Sequence, residues 1–152
     1  MDTIIQWQER MSFTASAESG FSVNLGTDAA VGGDNDGFRP LELMVIGLGG
    51  CTAMDVISIL TKKRQDVRDF QVKVHVDRAE QHPRVFTQGR IEYHLGGYNI
   101  DEDALKHAIE LSEKRYCPAY SMLSKAFPIT LHYFIYDGEV EERRMLKKGQ
   151  VD

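Results

Sequence analysis

Apolar and polar residues alternate early in the chain. Met11, Phe13 and Ala15 are separated by Ser12, Thr14 and Ser16, and Phe21, Val23 and Leu25 by Ser22 and Asn24. A period of two places successive side chains on opposite faces, so both runs predict half-buried strands, with a turn at Ser19-Gly20 between them. From Gly26 to Gly37 the sequence GTDAAVGGDNDG is expected to form an irregular, mobile loop. An apolar run then extends from Pro40 to Leu60. Pro40 suits a first helical turn, Glu42 meets the positive end of the helix dipole, and Lys62, Lys63 and Arg64 suit the other end. Gly47, Gly49 and Gly50 each cost about 1 kcal/mol relative to alanine inside a helix, which is tolerated where another backbone must come close or the helix must bend. The segment is expected to be a long buried central helix.

Beyond it, Phe70, Val72, Val74 and Val76 alternate with Gln71, Lys73, His75 and Asp77, and Val85 to Leu95 reads as a partner strand across a turn at Pro83. Asp101 opens a helical pattern carried by Ala104, Leu105, Ala108, Ile109 and Leu111 as far as Tyr116, where Cys117-Pro118 interrupts it. A short helix over 120–126 and a strand over 129–136 follow, and Phe134 and Tyr136 give that strand two apolar faces. The charged segment 138–152 is expected to be a flexible tail. The order β-β-α-β-β-α-α-β predicts an α+β fold with antiparallel sheet, in a single domain spanning 1–152.

A net charge of −5 leaves no surplus of positive charge for a phosphate backbone, so no nucleic-acid partner is expected. Glu42, Asp55 and three glycines interrupt the apolar run, so no membrane span is expected. MDTIIQWQER has no apolar signal-peptide core, and a cytoplasmic location is expected. His75, His82, His94, His107 and His132 form no short ligand spacing, and neither a phosphate-binding loop nor a dinucleotide fingerprint is present. No metal and no cofactor are therefore expected.

Two cysteines remain, Cys51 in RPLELMVIGLGGCTAMDV and Cys117 in RYCPAYSML. In a reducing compartment such a pair is either inert packing or redox chemistry. Cys51 could be a small apolar residue on a packed helix, and Cys117 could fill a gap where Pro118 ends one. The chemical reading needs a nearby guanidinium to favour the thiolate. Arg39 is the nearest candidate in sequence and Arg10 a second, and Glu42 could fix the Arg39 fork or form an ordinary i,i+3 ion pair with it.

Those two segments resemble the OsmC/Ohr family of osmotically induced and organic hydroperoxide resistance proteins, especially its OsmC-like branch, with a P-x-E-L followed by G-G-C-T. The resemblance implies an intertwined homodimer whose central helices pack together and whose active sites lie at the subunit interface. It implies a thiol-dependent peroxidase for organic hydroperoxides, with Cys51 as nucleophile, Cys117 as resolving thiol, Arg39 and Glu42 in support, and an external dithiol reductant. In peroxidase members the glutamate directly follows the proline; here Leu41 intervenes, turning the acid by about 100° around the helix. Met44, Leu48, Met54 and Phe127 are candidates to line an apolar channel. The alternative on the same fold is a small-molecule binding or redox-sensing protein without efficient turnover, and a third is a structural dimer with inert thiols.

Overall fold

Strands β1 (Thr3–Glu9), β2 (Ser12–Ala17) and β3 (Ser22–Leu25) form an antiparallel sheet in that order. In this computed structural model residues 1–138 and 144–151 are described, and the chain divides into two compact units, Met1–Met44 and Val45–Asp152. Strands β2 and β3 lie where the alternation placed them, with Gly20 at φ 83° in the turn. Strand β1 gives no comparable signal because Ile4 and Ile5 are adjacent and every residue of it is exposed.

The loop after β3 is irregular but anchored. Arg10 pairs with Asp34 at 2.6 Å, Ser12 Oγ donates to Asp36 at 2.5 Å, and the Phe38 N–H donates to the Asn24 carbonyl at 2.9 Å. These bonds tie the segment and its exit to the sheet and its turns.

Helix α1 (Pro40–Lys62) begins as its sequence dictates, with proline in the first turn and Glu42 Oε2 accepting the Arg39 N–H at 2.9 Å. That bond is half of a capping box and satisfies a donor that a helix start leaves orphaned. Leu48, Thr52, Val56 and Leu60 recur every four residues and are all buried. The helix is not buried all round, however. Ile46 and Met54 are 51% and 74% exposed, and only 22% of its most apolar window is covered by this chain. By length and hydropathy alone α1 could cross a membrane, contrary to expectation, yet its inner face carries Thr52 against protein polar groups.

In the second unit β4 (Asp66–Arg78), β5 (Phe86–Tyr98), β6 (Ile129–Asp137) and β7 (Arg144–Val151) form a sheet in sequence order. The β4–β5 and β6–β7 pairs are antiparallel, while β5 and β6 are parallel, which departs from the all-antiparallel expectation. Parallel neighbours need a long crossover, and residues 99–128 supply it with α2 (Glu102–Leu111) and α3 (Pro118–Leu123). Strand β7 replaces most of the expected frayed tail, of which residues 139–143 and 152 lie outside the described ones. It is a charged strand at the sheet edge, where Lys147 and Lys148 discourage further pairing and Val151 is buried.

Ile91, Tyr93 and Leu95 of β5, Leu131, Tyr133 and Ile135 of β6, Leu105 and Ile109 of α2, and Leu48, Val56 and Leu60 of α1 make one core. The Tyr133 hydroxyl donates to Glu102 at 2.5 Å and Lys147 donates to it at 2.9 Å, tying the start of α2 to β6 and β7. These bonds hold the Glu102 carboxyl down at about 2, below its ordinary 4.5. The ionised form is thus favoured by folding, so its contribution is complete above about pH 4.5 and is lost as pH falls toward 2. Urea denaturation across that range should show a shallower acid loss of stability in Glu102→Gln than in wild type, and superimposable pH profiles would contradict the tie.

Candidate functional site

Asp101 caps α2 by accepting the Asp103 N–H at 3.0 Å. After Leu111 the helix widens into a π turn over Ser112–Tyr116, closed by the Cys117 N–H donating at 2.8 Å to the Ser112 carbonyl five residues back. Cys117 then leaves helical geometry at φ −81° and ψ 100° and caps α3, its sulfur accepting the Tyr120 N–H at 3.3 Å. Pro118 at the first position needs no hydrogen-bond acceptor there. The break that the Cys117-Pro118 pair predicts is therefore a wide turn followed by a new helix start.

Cys51 and Asp55 lie four residues apart on α1 and share a face. The π turn brings Cys117 to them: the two sulfurs and an Asp55 carboxylate oxygen all lie within 4.8 Å of one another. Both cysteines are free thiols, Cys51 half-buried and Cys117 only 2% exposed. Sequence reasoning names the two thiols but not Asp55, although the C-x-x-x-D spacing that gives it its face is legible.

Behind Asp55 runs a buried line of hydroxyls. Ser112 Oγ donates to Asp55 Oδ2 at 2.9 Å, Thr52 Oγ1 stands 2.9 Å from Ser112 Oγ, and the Tyr93 hydroxyl stands 2.7 Å from Thr52 Oγ1. Each hydroxyl has one proton, so Ser112's donation to the carboxylate leaves Thr52 to donate to Ser112 and Tyr93 to Thr52. The line is polarised toward Asp55. Burial drives the Tyr93 phenol well above its ordinary range, keeping it a donor.

The field around the thiols is negative. Burial first, then the side-chain hydrogen bond with Cys51, and also the Asp55 charge, push the Cys117 thiol up to about 12, against the Tyr120 N–H. Burial and the Glu113 carboxylate push Tyr120 up to about 12 as well. Tyr120 donates to Glu113 Oε1 at 3.4 Å, while Glu113 Oε2 is buried with no hydrogen-bond partner among the described residues. Two thiols and a carboxylate form a donor set suited to a thiophilic cation.

Arg39, Glu42 and Arg10 belong to the first unit. Glu42 binds the Arg39 backbone N–H rather than its guanidinium, which is held by Asp28 and Asn35. Arg10 is engaged by Asp34 and the Gly32 carbonyl. Arg39 and Glu42 also border an open depression of about 630 Å³ with Asn24, Asp36 and Phe38. The four proposed channel residues divide: Leu48 and Phe127 are buried, the latter edge-on to Phe86, whereas Met44 and Met54 are exposed.

A family model described as OsmC-like protein matches residues 33–132, which include α1, both cysteines and the hydroxyl line between them. The chain belongs to the OsmC-like family. It is 35% identical to Protein YhfA of Escherichia coli K12 over 133 residues, covering 88% of this chain and 96% of that protein. Among solved structures, a hypothetical protein from Aquifex aeolicus VF5 is 26% identical with a TM-score of 0.78, covering 91% of this chain and 97% of the other. An organic hydroperoxide resistance protein OsmC from Legionella pneumophila shares the fold at 13% identity, with a TM-score of 0.63 and coverage of 92% and 98%. The α+β OsmC-like fold expected from the cysteine segments is thus the fold of this chain.

The hydroxyl line makes a specific demand on Ser112. Ser112→Ala should destabilise the protein by about 1–3 kcal/mol, because buried Thr52 and Asp55 each lose a partner. Urea unfolding measures this, and a loss below about 0.5 kcal/mol, the range of an inconsequential surface change, would contradict it.

Proposed function

We propose that this protein reduces organic hydroperoxides through its Cys51–Cys117 pair, acting as a homodimer. The observation that carries the reading is the approach of the two sulfurs to within 4.8 Å, on elements joined by a hydrogen-bonded core. Kinship with organic hydroperoxide resistance proteins supports the substrate class.

Burial distinguishes the two thiols. Burial and its neighbours push the Cys117 thiol up to about 12, so it is held in its protonated form, whereas Cys51 is open enough to meet a substrate. The Cys51 thiolate attacks the distal hydroperoxide oxygen, the O–O bond breaks, and the alcohol departs with a proton, leaving Cys51 as a sulfenic acid. Cys117 then attacks the oxidised sulfur, water leaves, and a disulfide remains for an external dithiol to reduce. Arg39 and Glu42 are given no step here, since Arg39 is engaged by Asp28 and Asn35 and Glu42 by the Arg39 N–H.

The exposed apolar residues Ile46 and Met54 on α1, and Ile4, Ile5 and Trp7 on β1, support a second copy of the chain as what covers them. An alanine Cβ at Gly47 or Gly50 would meet nothing within 4 Å, so close approach at those glycines awaits a partner, whereas Gly49 lies against Val74 of its own chain. One observation favours the slower alternative, redox sensing or ligand binding: burial first, with the Asp55 charge adding to it, holds the resolving thiol Cys117 protonated.

Stopped-flow mixing of reduced protein with an organic hydroperoxide tests the reading. Rapid hydroperoxide loss with a mass decrease of two hydrogens is expected in wild type, a trappable sulfenic acid in Cys117→Ser, and no reaction in Cys51→Ser. Consumption as fast in Cys51→Ser as in wild type would overturn it, and slow oxidation of the wild type would leave the sensing alternative.

A further inference from the structure

We propose that the reduced protein binds one thiophilic divalent cation of the Zn²⁺ class through Cys51 Sγ, Cys117 Sγ and Asp55. The site stands independently of the peroxidase reading, because it needs the same thiols but no turnover.

The spacing carries the argument first. Zinc takes thiolate sulfur at about 2.3 Å and carboxylate oxygen at about 2.0–2.2 Å, so donors arranged tetrahedrally on one ion lie about 3.5–3.8 Å apart. All three donor atoms here already fall within 4.8 Å of one another. Small side-chain movements bring them onto one ion.

The surroundings carry it second. Metal-bound carboxylates are generally oriented by outer hydrogen bonds, and Asp55 accepts one from Ser112, which is held in turn by Thr52 and, through it, Tyr93. The Tyr120 N–H donates to Cys117 Sγ and holds that sulfur on the same side. The Asp55 carboxylate, with an oxygen within 4.8 Å of both sulfurs, supplies a charged oxygen ligand beside them.

The donor set and access fix the class of ion. Two thiolates select a borderline-soft metal over Mg²⁺ or Ca²⁺, and three protein ligands leave a fourth position for water or an exogenous ligand. Half-buried Cys51 gives the ion a way in. Binding displaces thiol protons, so affinity rises with pH. A Cys51–Cys117 disulfide removes both sulfur ligands, which confines the site to the reduced protein. Histidine spacing gives no hint of it, because no histidine takes part.

The test titrates reduced, metal-free full-length protein with Co²⁺ under anaerobic conditions, then displaces it with Zn²⁺, in the absence of peroxide. One Co²⁺ per chain is expected, with thiolate charge-transfer and tetrahedral d–d absorption that Zn²⁺ abolishes. Cys51→Ser and Cys117→Ser should lose most of the charge-transfer intensity. Asp55→Asn, which keeps an oxygen for Ser112, should weaken Zn²⁺ binding by about tenfold or more. The disulfide form should give no thiolate absorption. Absence of charge-transfer absorption in the wild type, or equal Zn²⁺ affinity in wild type and both cysteine variants, overturns the proposal. Should Asp55→Asn fail to fold, Cys51→Ser at its half-buried position carries the test. Failure here leaves the hydroperoxide reaction untouched, and failure of that reaction leaves the metal titration untouched.

Discussion

A line of four hydrogen-bonded groups, Tyr93, Thr52, Ser112 and Asp55, links three elements at one point. Tyr93 comes from the sheet, Thr52 and Asp55 from α1, and Ser112 from the first residue of the π turn. In an apolar core each hydroxyl is costly unless partnered, so the line fixes the rotation of α1 and the start of the wide turn together. Rotating α1 by one residue would turn Thr52 about 100° from Tyr93 and Ser112, and carry Cys51 away from Cys117. The closeness of the thiols thus follows from the satisfaction of buried polar groups, with the apolar stripe Leu48, Val56 and Leu60 supplying the driving force.

Thiols so placed are electrostatically unusual. The neighbours acting on Cys117 and Tyr120 are Cys51, Asp55 and Glu113, and none of these supplies positive charge. The arginines that the family resemblance nominates are engaged by acids of their own unit, Arg39 by Asp28 and Arg10 by Asp34. A close thiol pair can form a disulfide by giving up two electrons to an oxidant such as a hydroperoxide, and in the reduced state the same sulfurs and the fixed carboxylate suit the proposed cation. Both follow from the same three atoms, and oxidation state selects between them.

Much of this was legible in the sequence where a periodic pattern met a water boundary. The alternation in β4 and the 3-to-4 spacing of α2 are visible because each element has one wet face and one dry one. Strand β1 lacks alternation, and β7 hides in a charged segment because an edge strand needs few apolar residues. The parallel pairing of β5 with β6 depends on the crossover between them, which no local pattern reports. At the site, Cys51 and Cys117 were found by residue type and motif. Asp55, Ser112 and Tyr93 were not, since their meeting depends on a π turn that adds one residue to a helical period and has no compositional signature. Glu42 was legible as a helix-start acid, and its capping bond to Arg39 accounts for its position after Leu41.

The central claim is that Cys51 and Cys117 of one chain are poised to join. The most direct measurement is peptide mapping by mass spectrometry after brief exposure of the folded protein to a mild thiol-specific oxidant. The account predicts one dominant Cys51–Cys117 peptide from within a single chain, reversible by dithiothreitol. Recovery of both cysteines unlinked, or linked only between chains, would contradict it.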